Sequence, residues 1–442
     1  MVTIESRMIS STASCGRSRD ESSDTAVELD TGNIRSPAEE SMKPLPEGGY
    51  GWVCVASVFL INAHTWGVNS AYGVLLSYYL SDHTFPNTSA LEYAFVGGLS
   101  IAMAFVVSPL STYIVHHYGM RPALSIGSVL VAVSLITTSF AQKTWQLFLS
   151  QGVCFGLGMG FAFVGSVGVV SHWFHKRRSL VNGIVAGGSG IGGLTYSLAV
   201  NAMITRLGYP WAMRILGIIC FVVNLVCGNL LRLPPNYHPK VNQSLMKIGL
   251  FKKPEYIFYL AWGLFSGLGY IALLFSLSSY AVAVGMTQQT GSIASALLSL
   301  GQALGRPLVG ILSDHFGRIE VPLYASMLAG LFCLVIWPFS DSTGVLYFFS
   351  IIVGLESGTL WAAAAPIAAE IVGLADLSGA LGFFWLVLAP PTAVAEPIAV
   401  QLRDSTANSY PYLRVQLFTG FMYIGAGLWL ICLKVWRAKS NE

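Results

Sequence analysis

The stretch SLGQALGRPLVGILSDHFGR, residues 299–318, carries a single charge, Arg306, inside an apolar run that ends at Asp314. A guanidinium does not shed its proton at physiological pH, and holding it in hydrocarbon is costly. Such a residue persists where it faces a water-filled cavity, a counter-charge or an anionic ligand. Asp314 follows after about eight residues, or ~12 Å along a helix. Against a hydrocarbon core ~30 Å thick, Arg306 therefore lies near the midplane. The stretch reads as a membrane-spanning helix with a functional charge at its centre.

The rest of the chain agrees. Of 442 residues, 54% are hydrophobic and 10% charged, against about 25% charged in a soluble protein. The net charge of +3 is too small to suggest a nucleic-acid partner. Residues 1–46 are rich in Ser, Thr, Asp, Glu and Arg and contain no apolar core of signal-peptide length. They are expected to form a disordered cytoplasmic arm. Of seven cysteines, six lie in apolar segments without paired spacing, which points to neither a disulfide framework nor a metal site.

Apolar stretches of about twenty residues recur at 51–76, 91–115, 122–141, 145–171, 179–204 and 210–232. Six more lie at 255–284, 290–313, 320–340, 343–370, 378–400 and 414–436. The long polar break at 233–254 divides the chain into six-helix bundles over 47–232 and 255–442. One set of loops holds Arg121, Lys176, Arg177, Arg178, Arg232, Lys240, Lys247, Lys252, Lys253 and Arg318, and the tail holds Lys434, Arg437 and Lys439. The opposite loops hold Lys143, Arg206 and Arg403. The positive-inside rule then puts both termini in the cytoplasm and the sequon at Asn87 outside, where it could carry a glycan.

An internal repeat supports the division. Ser108-Pro109-Leu110 precedes His117-Tyr118-Gly119, and Arg306-Pro307-Leu308 precedes His315-Phe316-Gly317 with the same spacing. Each copy lies at the end of the second helix of its half. Parallel repeats of this kind, related by an axis normal to the membrane, describe the major facilitator architecture.

The run from Gly305 through Asp314 to Arg318 resembles the loop motif of major facilitator transporters. That resemblance implies an all-α fold of twelve transmembrane helices in two pseudo-symmetric halves, with Asp314 and Arg318 latching the cytoplasmic side. In the first half the matching Asp position is His116. Two further stretches are similar to the monocarboxylate transporter family within that superfamily. They are Glu47-Gly48-Gly49-Tyr50-Gly51-Trp52, before the first helix, and Trp173 to Gly183, which contains Lys176-Arg177-Arg178 and Asn182, before the fifth. The resemblance implies gating roles at the inner mouth for Arg178 and Asn182.

In lactate-carrying members, the arginine of the eighth helix has an Asp four residues earlier and a Lys partner on the first helix. The matching positions here are Gln302 and Ser70. Asn69-Ser70-Ala71-Tyr72-Gly73 resembles the fungal branch, which includes organic-acid and vitamin permeases and exporters of secondary metabolites.

The site expected from these readings has Arg306 holding an anionic group, with Asn69, Ser70 and Gln302 donating or accepting hydrogen bonds. Trp66, Tyr72 and Trp361 are candidate stacking surfaces. Glu356, near the midplane of the tenth span, is the candidate proton-coupling carboxylate, and His64 a second candidate because imidazole titrates near physiological pH. Glu396, beside Pro390, Pro391 and Pro397, is a candidate gate. The bland alternatives are structural pairing for Arg306, a helix-capping contact for Glu356, donation to a carbonyl for His64 and plain packing for the aromatics. Gly187-Gly-Ser-Gly-Ile-Gly-Gly193 is not a dinucleotide loop, because no strand precedes it; small residues there permit close helix packing.

The expected function is proton-linked secondary transport of a small organic anion or metabolite across the plasma membrane by alternating access, with export of a secondary metabolite as one direction. Import of monocarboxylates or of a vitamin such as riboflavin is the alternative. A non-transporting nutrient sensor on the same scaffold is the rival from another class. No cofactor is expected, and no nucleophile–base or metal-ligand cluster suggests an enzyme.

Overall fold

The computed structural model describes residues 48–81, 88–235, 248–403 and 411–440. The proposed arm, part of the 233–254 break and Asn87 lie outside the described residues. Among the described residues there is no strand.

Twelve helical spans are long and apolar enough to cross a membrane. They are α1 Gly51–Ser70, α2 Leu91–Tyr118, α3 Met120–Thr138, α4 Thr144–Trp173, α5 Arg178–Leu207 and α6 Tyr209–Leu230. After the polar break come α7 Pro254–Ala283, α8 Gln289–Phe316, α9 Glu320–Phe339, α10 Thr343–Val372, α11 Leu377–Leu402 and α12 Leu413–Lys439. In a bilayer the backbone must satisfy its own hydrogen bonds, so apolar runs of this length fold as helices.

Several helices are interrupted where chemistry permits it. Span α1 breaks at His64–Thr65 and again at Ala71, beyond which a helical segment runs Tyr72–Ser81. Span α10 breaks at Gly358, between Thr343–Ser357 and Thr359–Val372. Span α8 keeps Pro307 inside a continuous helix. Proline offers no N–H to the carbonyl four residues earlier, that of Ala303, and so loosens the ladder beside Arg306.

The two sets of six helices meet along two seams, α2 against α11 and α5 against α8. At the second, backbones nearly touch. A Cβ at Gly183 of α5 would run into the carbonyl oxygen of Arg306, and one at Gly310 of α8 into that of Ser179. The glycine run of α5 serves both its neighbours. Gly187 and Gly190 face Ala303 and Ser299 of α8, while Gly188 and Gly192 face Phe59 and Ala63 of α1. Helices in lipid gain little from burying apolar surface, so small residues that let backbones approach supply the packing energy instead.

Candidate functional site

Arg306 projects from α8 into the α5–α8 seam and is only 2% exposed. Its Nη1 donates to the Ala186 carbonyl at 2.7 Å and to Ser189 Oγ, both on α5. Its Nη2 donates to Gln302 Oε1 at 2.8 Å and, at 3.4 Å, to the Tyr270 hydroxyl of α7. Tyr270 in turn donates to the same Gln302 oxygen at 3.1 Å. Gln302, one helical turn earlier, thus orients the guanidinium as an acceptor. The break in α10 makes room for it: a Cβ at Gly358 would sit 2.6 Å from Arg306 Nε.

These acceptors are all neutral. Hydrogen bonds from a charged donor contribute about 1.5–3 kcal/mol each, which offsets much of the several kcal/mol of desolvation. They leave the charge itself in place. The ion pairs Arg318–Asp314, Arg318–Glu370, Lys434–Glu320 and Arg437–Glu370 do not include Arg306. Nε of Arg306 and Nε2 of Gln302 are buried with no hydrogen-bond partner among the described residues. The site is a fixed positive charge with two donors to spare.

An aromatic cluster lies beside it, reached through Tyr270, whose ring is 5.8 Å edge-on from Trp361. Trp361 of α10 stacks on Trp385 of α11 at 5.6 Å and 11°. From the other half, Trp66 of α1 lies 4.9 Å from Trp361, and Phe105 of α2 stacks on Trp385 at 5.5 Å and 14°. Arg306, Gln302, Trp361 and Trp66 are therefore brought into one region.

Other expected site residues lie elsewhere. Tyr72 is buried and donates to the Tyr93 carbonyl at 2.8 Å, within the first half. Asn69 Oδ1 accepts from Ser100 of α2 at 2.9 Å, and Ser70 Oγ donates to the Trp66 carbonyl of its own helix. His64 Nδ1 lies 2.8 Å from the Leu60 carbonyl, and its ring stands edge-on to Tyr196 at 5.6 Å. Glu356 immediately precedes Ser357 and the break at Gly358. It is half-buried, and among the described residues its carboxylate has no hydrogen bond or ion pair. Glu396 belongs to α11, but its side chain lies outside the described residues.

The loop-motif residues form a second cluster at the basic end of the same seam. Asp314 accepts from the backbone N–H groups of Ser179 at 3.0 Å and Leu180 at 2.8 Å, so its carboxylate caps the start of α5. A negative charge there also meets the positive end of the helix dipole. Arg318 donates to the His175 carbonyl at 2.7 Å and lies 3.5 Å from Asp314 and 3.8 Å from Glu370. Glu370 also pairs with Arg437 at 3.3 Å. Arg178 and Asn182 face inward instead: Arg178 Nε donates to the Phe174 carbonyl, and Asn182 Nδ2 to Ser171 Oγ and the Arg178 carbonyl.

Sequence reasoning missed Tyr270, Ser189, Gly358 and Trp385. Tyr270 and Trp385 belong to no motif and sit in evenly apolar helices. Ser189 is hidden in a glycine run that reads as packing. Gly358, between Ser357 and Thr359 in a largely apolar span, was a usable signal for a break, since these three are poorer helix formers than the residues around them. Among the described residues no group of three His, Cys, Asp or Glu side chains could hold a metal ion.

Residues 55–396 match the sequence profile described as Major Facilitator Superfamily. The chain is 33% identical over 396 residues to the "Probable transporter MCH2" of Saccharomyces cerevisiae, covering 88% of this chain and 83% of that protein. It is 27% identical to the "Agnestins efflux protein AgnL12" of Paecilomyces divaricatus, covering 85% and 86%. It is 28% identical to "Monocarboxylate transporter 10" of Rattus norvegicus, covering 87% and 79%. In fold it is similar to the transporter FucP in its outward conformation, with a TM-score of 0.68 at 12% identity over 87% of this chain and 99% of that one.

Proposed function

Starting from the fact that this chain belongs to the Major Facilitator Superfamily and is a multi-pass membrane transporter, we propose that it carries a small organic anion by alternating access, with Arg306 as the anion-binding group. The observation that carries this reading is the unneutralised guanidinium at the seam between the halves, surrounded only by neutral acceptors. A carboxylate or other anion entering the site exchanges weak dipolar partners for an ionic one. Because Nη1 is held by α5 and Nη2 by residues of α7 and α8, such an exchange would also loosen the tie between halves. Binding energy would then act directly on the rocking equilibrium, as a ligand must if it is to shift populations.

Proton linkage is the second part of the proposal, with Glu356 as the carrier. Its support is a half-buried carboxylate at mid-helix depth without a partner of its own among the described residues. Residues at such positions in membrane transporters serve proton relays. We place both termini in the cytoplasm, on the distribution of Lys and Arg, and propose the plasma membrane as the membrane that an exporter to the outside must occupy. Export of a secondary metabolite is the favoured direction, in keeping with the efflux protein among its relatives. Ser70 and Gln302, standing where a Lys and an Asp are expected beside the arginine, argue against lactate.

The test is flux of a panel of radiolabelled organic anions into proteoliposomes, with no proton gradient and with one imposed in each direction, inside-acidic for the antiport that export requires and outside-acidic for symport. Wild type should accumulate its cargo against a gradient when the driving side is acidic. Glu356→Gln should retain cargo exchange but lose the dependence on the proton gradient. Gradient-driven accumulation that survives in Glu356→Gln would remove Glu356 from the mechanism.

A further inference from the structure

The aromatic cluster beside Arg306 has features that packing alone does not require. The indole N–H groups of Trp66, Trp361 and Trp385 are all buried, and none has a hydrogen-bond partner among the described residues. A buried tryptophan ordinarily finds an acceptor for this group; Trp262 and Trp337 also lack one, and what sets these three apart is that they share one cluster beside Arg306. Two further orphans, Arg306 Nε and Gln302 Nε2, lie in the adjoining guanidinium site. Arg306, Gln302 and Trp385 are 2%, 4% and 0% exposed, so these are enclosed donors and not surface groups.

The second feature is where the stack divides. Phe105 belongs to α2 and Trp385 to α11, on opposite sides of the boundary between the halves. Their rings face one another within 14°. Phe105 is also within 24° of Trp361 at 6.1 Å. Any rocking that separates α2 from α11 pulls two parallel ring faces apart. The opening would be a slot bounded by the faces of Phe105 and Trp385, with Trp66 and Trp361 packed beside it and Arg306 reached through Tyr270. A puckered or branched guest would leave both faces unfilled, whereas a flat one stacks on each ring in place of the other.

We infer that the cargo is a flat, conjugated organic acid whose carboxylate meets Arg306 and whose ring system, bearing acceptor atoms, enters the slot between Phe105 and Trp385. This rests on the anion-transport reading above and deepens it. Trp385 thereby becomes a specificity-determining residue, through its ring face and through its N–H.

Matched acids of similar size separate the alternatives. Direct binding to the purified full-length protein is measured by calorimetry for 2-naphthoate, its saturated analogue decahydro-2-naphthoate, and quinoline-3-carboxylate, which adds a ring acceptor. Two stacked faces should favour naphthoate over its saturated analogue by about tenfold. Quinoline carboxylate should bind more tightly still. Trp385→Phe, which keeps a ring but lacks the donor, should bring the quinoline acid down to the naphthoate value. Trp385→Leu should erase the preference for flat over saturated. Equal binding of flat and saturated acids by wild type overturns the inference. So does a quinoline preference unchanged in Trp385→Phe, which also covers the case in which Trp385→Leu fails to fold. Lactate and citrate are included to separate the two levels. If they bind in a manner abolished by Arg306→Gln while none of the ring acids binds, the flat-acid class fails and the anion reading stands. If no acid depends on Arg306, both fail.

Discussion

The two seams between the halves occupy equivalent places in an internal repeat, yet they are built from different chemistry. At α2–α11, Ser108 donates one hydrogen bond to the Gly382 carbonyl at 2.8 Å. At α5–α8 the equivalent residue is Arg306, which holds four acceptors, two of them on the opposite half. The contrast recurs at the basic end. Asp314 caps α5 through two backbone N–H groups, while its counterpart His116 leaves Nδ1 buried without a partner among the described residues. Among the described residues, a pseudo-symmetric scaffold thus sets a bonded arginine and an aspartate in one seam where the other has a serine and a histidine. Opening the first exposes a charge that an anion can meet, whereas opening the second parts the Phe105 and Trp385 rings.

The largest effect that would break this comparison comes from close backbone packing. At Gly183 an added methyl meets the Arg306 backbone carbonyl oxygen, while at Gly382 it meets a single side-chain atom, the Thr112 hydroxyl, at 2.8 Å. Overpacking in a close-packed interior costs about 1–3 kcal/mol, more where nothing can move. Gly183→Ala should lower the thermal midpoint in detergent clearly more than Gly382→Ala. Equal shifts would mean the seams are packed alike.

Next in size is the latch. Asp314→Asn removes a charged acceptor from two backbone donors, a loss of about 1.5–3 kcal/mol. Alkylation of single cysteines introduced at the basic end should speed up several-fold in this variant. His116→Ala, lacking an equivalent bond, should leave the rate within about twofold, corresponding to the usual ±0.5 kcal/mol of a neutral substitution. A large effect of His116→Ala would show a latch in both seams.

The smallest effect sharpens the contrast at Ser108. Ser108→Ala forfeits one neutral hydrogen bond and leaves the Gly382 carbonyl without its donor, about 1 kcal/mol. Thermal stability should fall slightly, and the affinity for citrate, which has no ring to enter the Phe105–Trp385 slot, should not change. Altered citrate affinity would tie the Ser108–Gly382 bond to the Arg306 site itself.

Much of this is legible in the sequence, because the bilayer makes it so. Apolar runs of spanning length must be helices, and expected and observed span ends agree within a few residues for α2 to α12. The first span differs: hydropathy reads it as an unbroken run to residue 76, whereas the backbone breaks at His64–Thr65 and at Ala71. Hydropathy does not sense turns within an apolar helix. Arg306 stands out because a charge in hydrocarbon is rare. Its partners do not, because a carbonyl such as that of Ala186 belongs to every residue. Which one meets the guanidinium depends on how close two helices come. The glycines of α5 announce that closeness but not the rotation that turns Ser189 toward Arg306. Asn69, Ser70 and Tyr72 are placed by motif position alone, and helical rotation turns their polar atoms to partners inside the first half.

The central claim is that Arg306 binds the anionic group of the cargo. The direct measurement is initial-rate uptake of organic anions by proteoliposomes containing wild type, Arg306→Lys or Arg306→Gln at matched protein density. Arg306→Gln should lose transport by about a hundredfold or more, as removal of a buried charged contact worth about 3 kcal/mol requires. Arg306→Lys, which keeps the charge but not the fork of donors, should retain an intermediate rate with weakened apparent affinity. Transport by Arg306→Gln at the wild-type rate and affinity would contradict the claim.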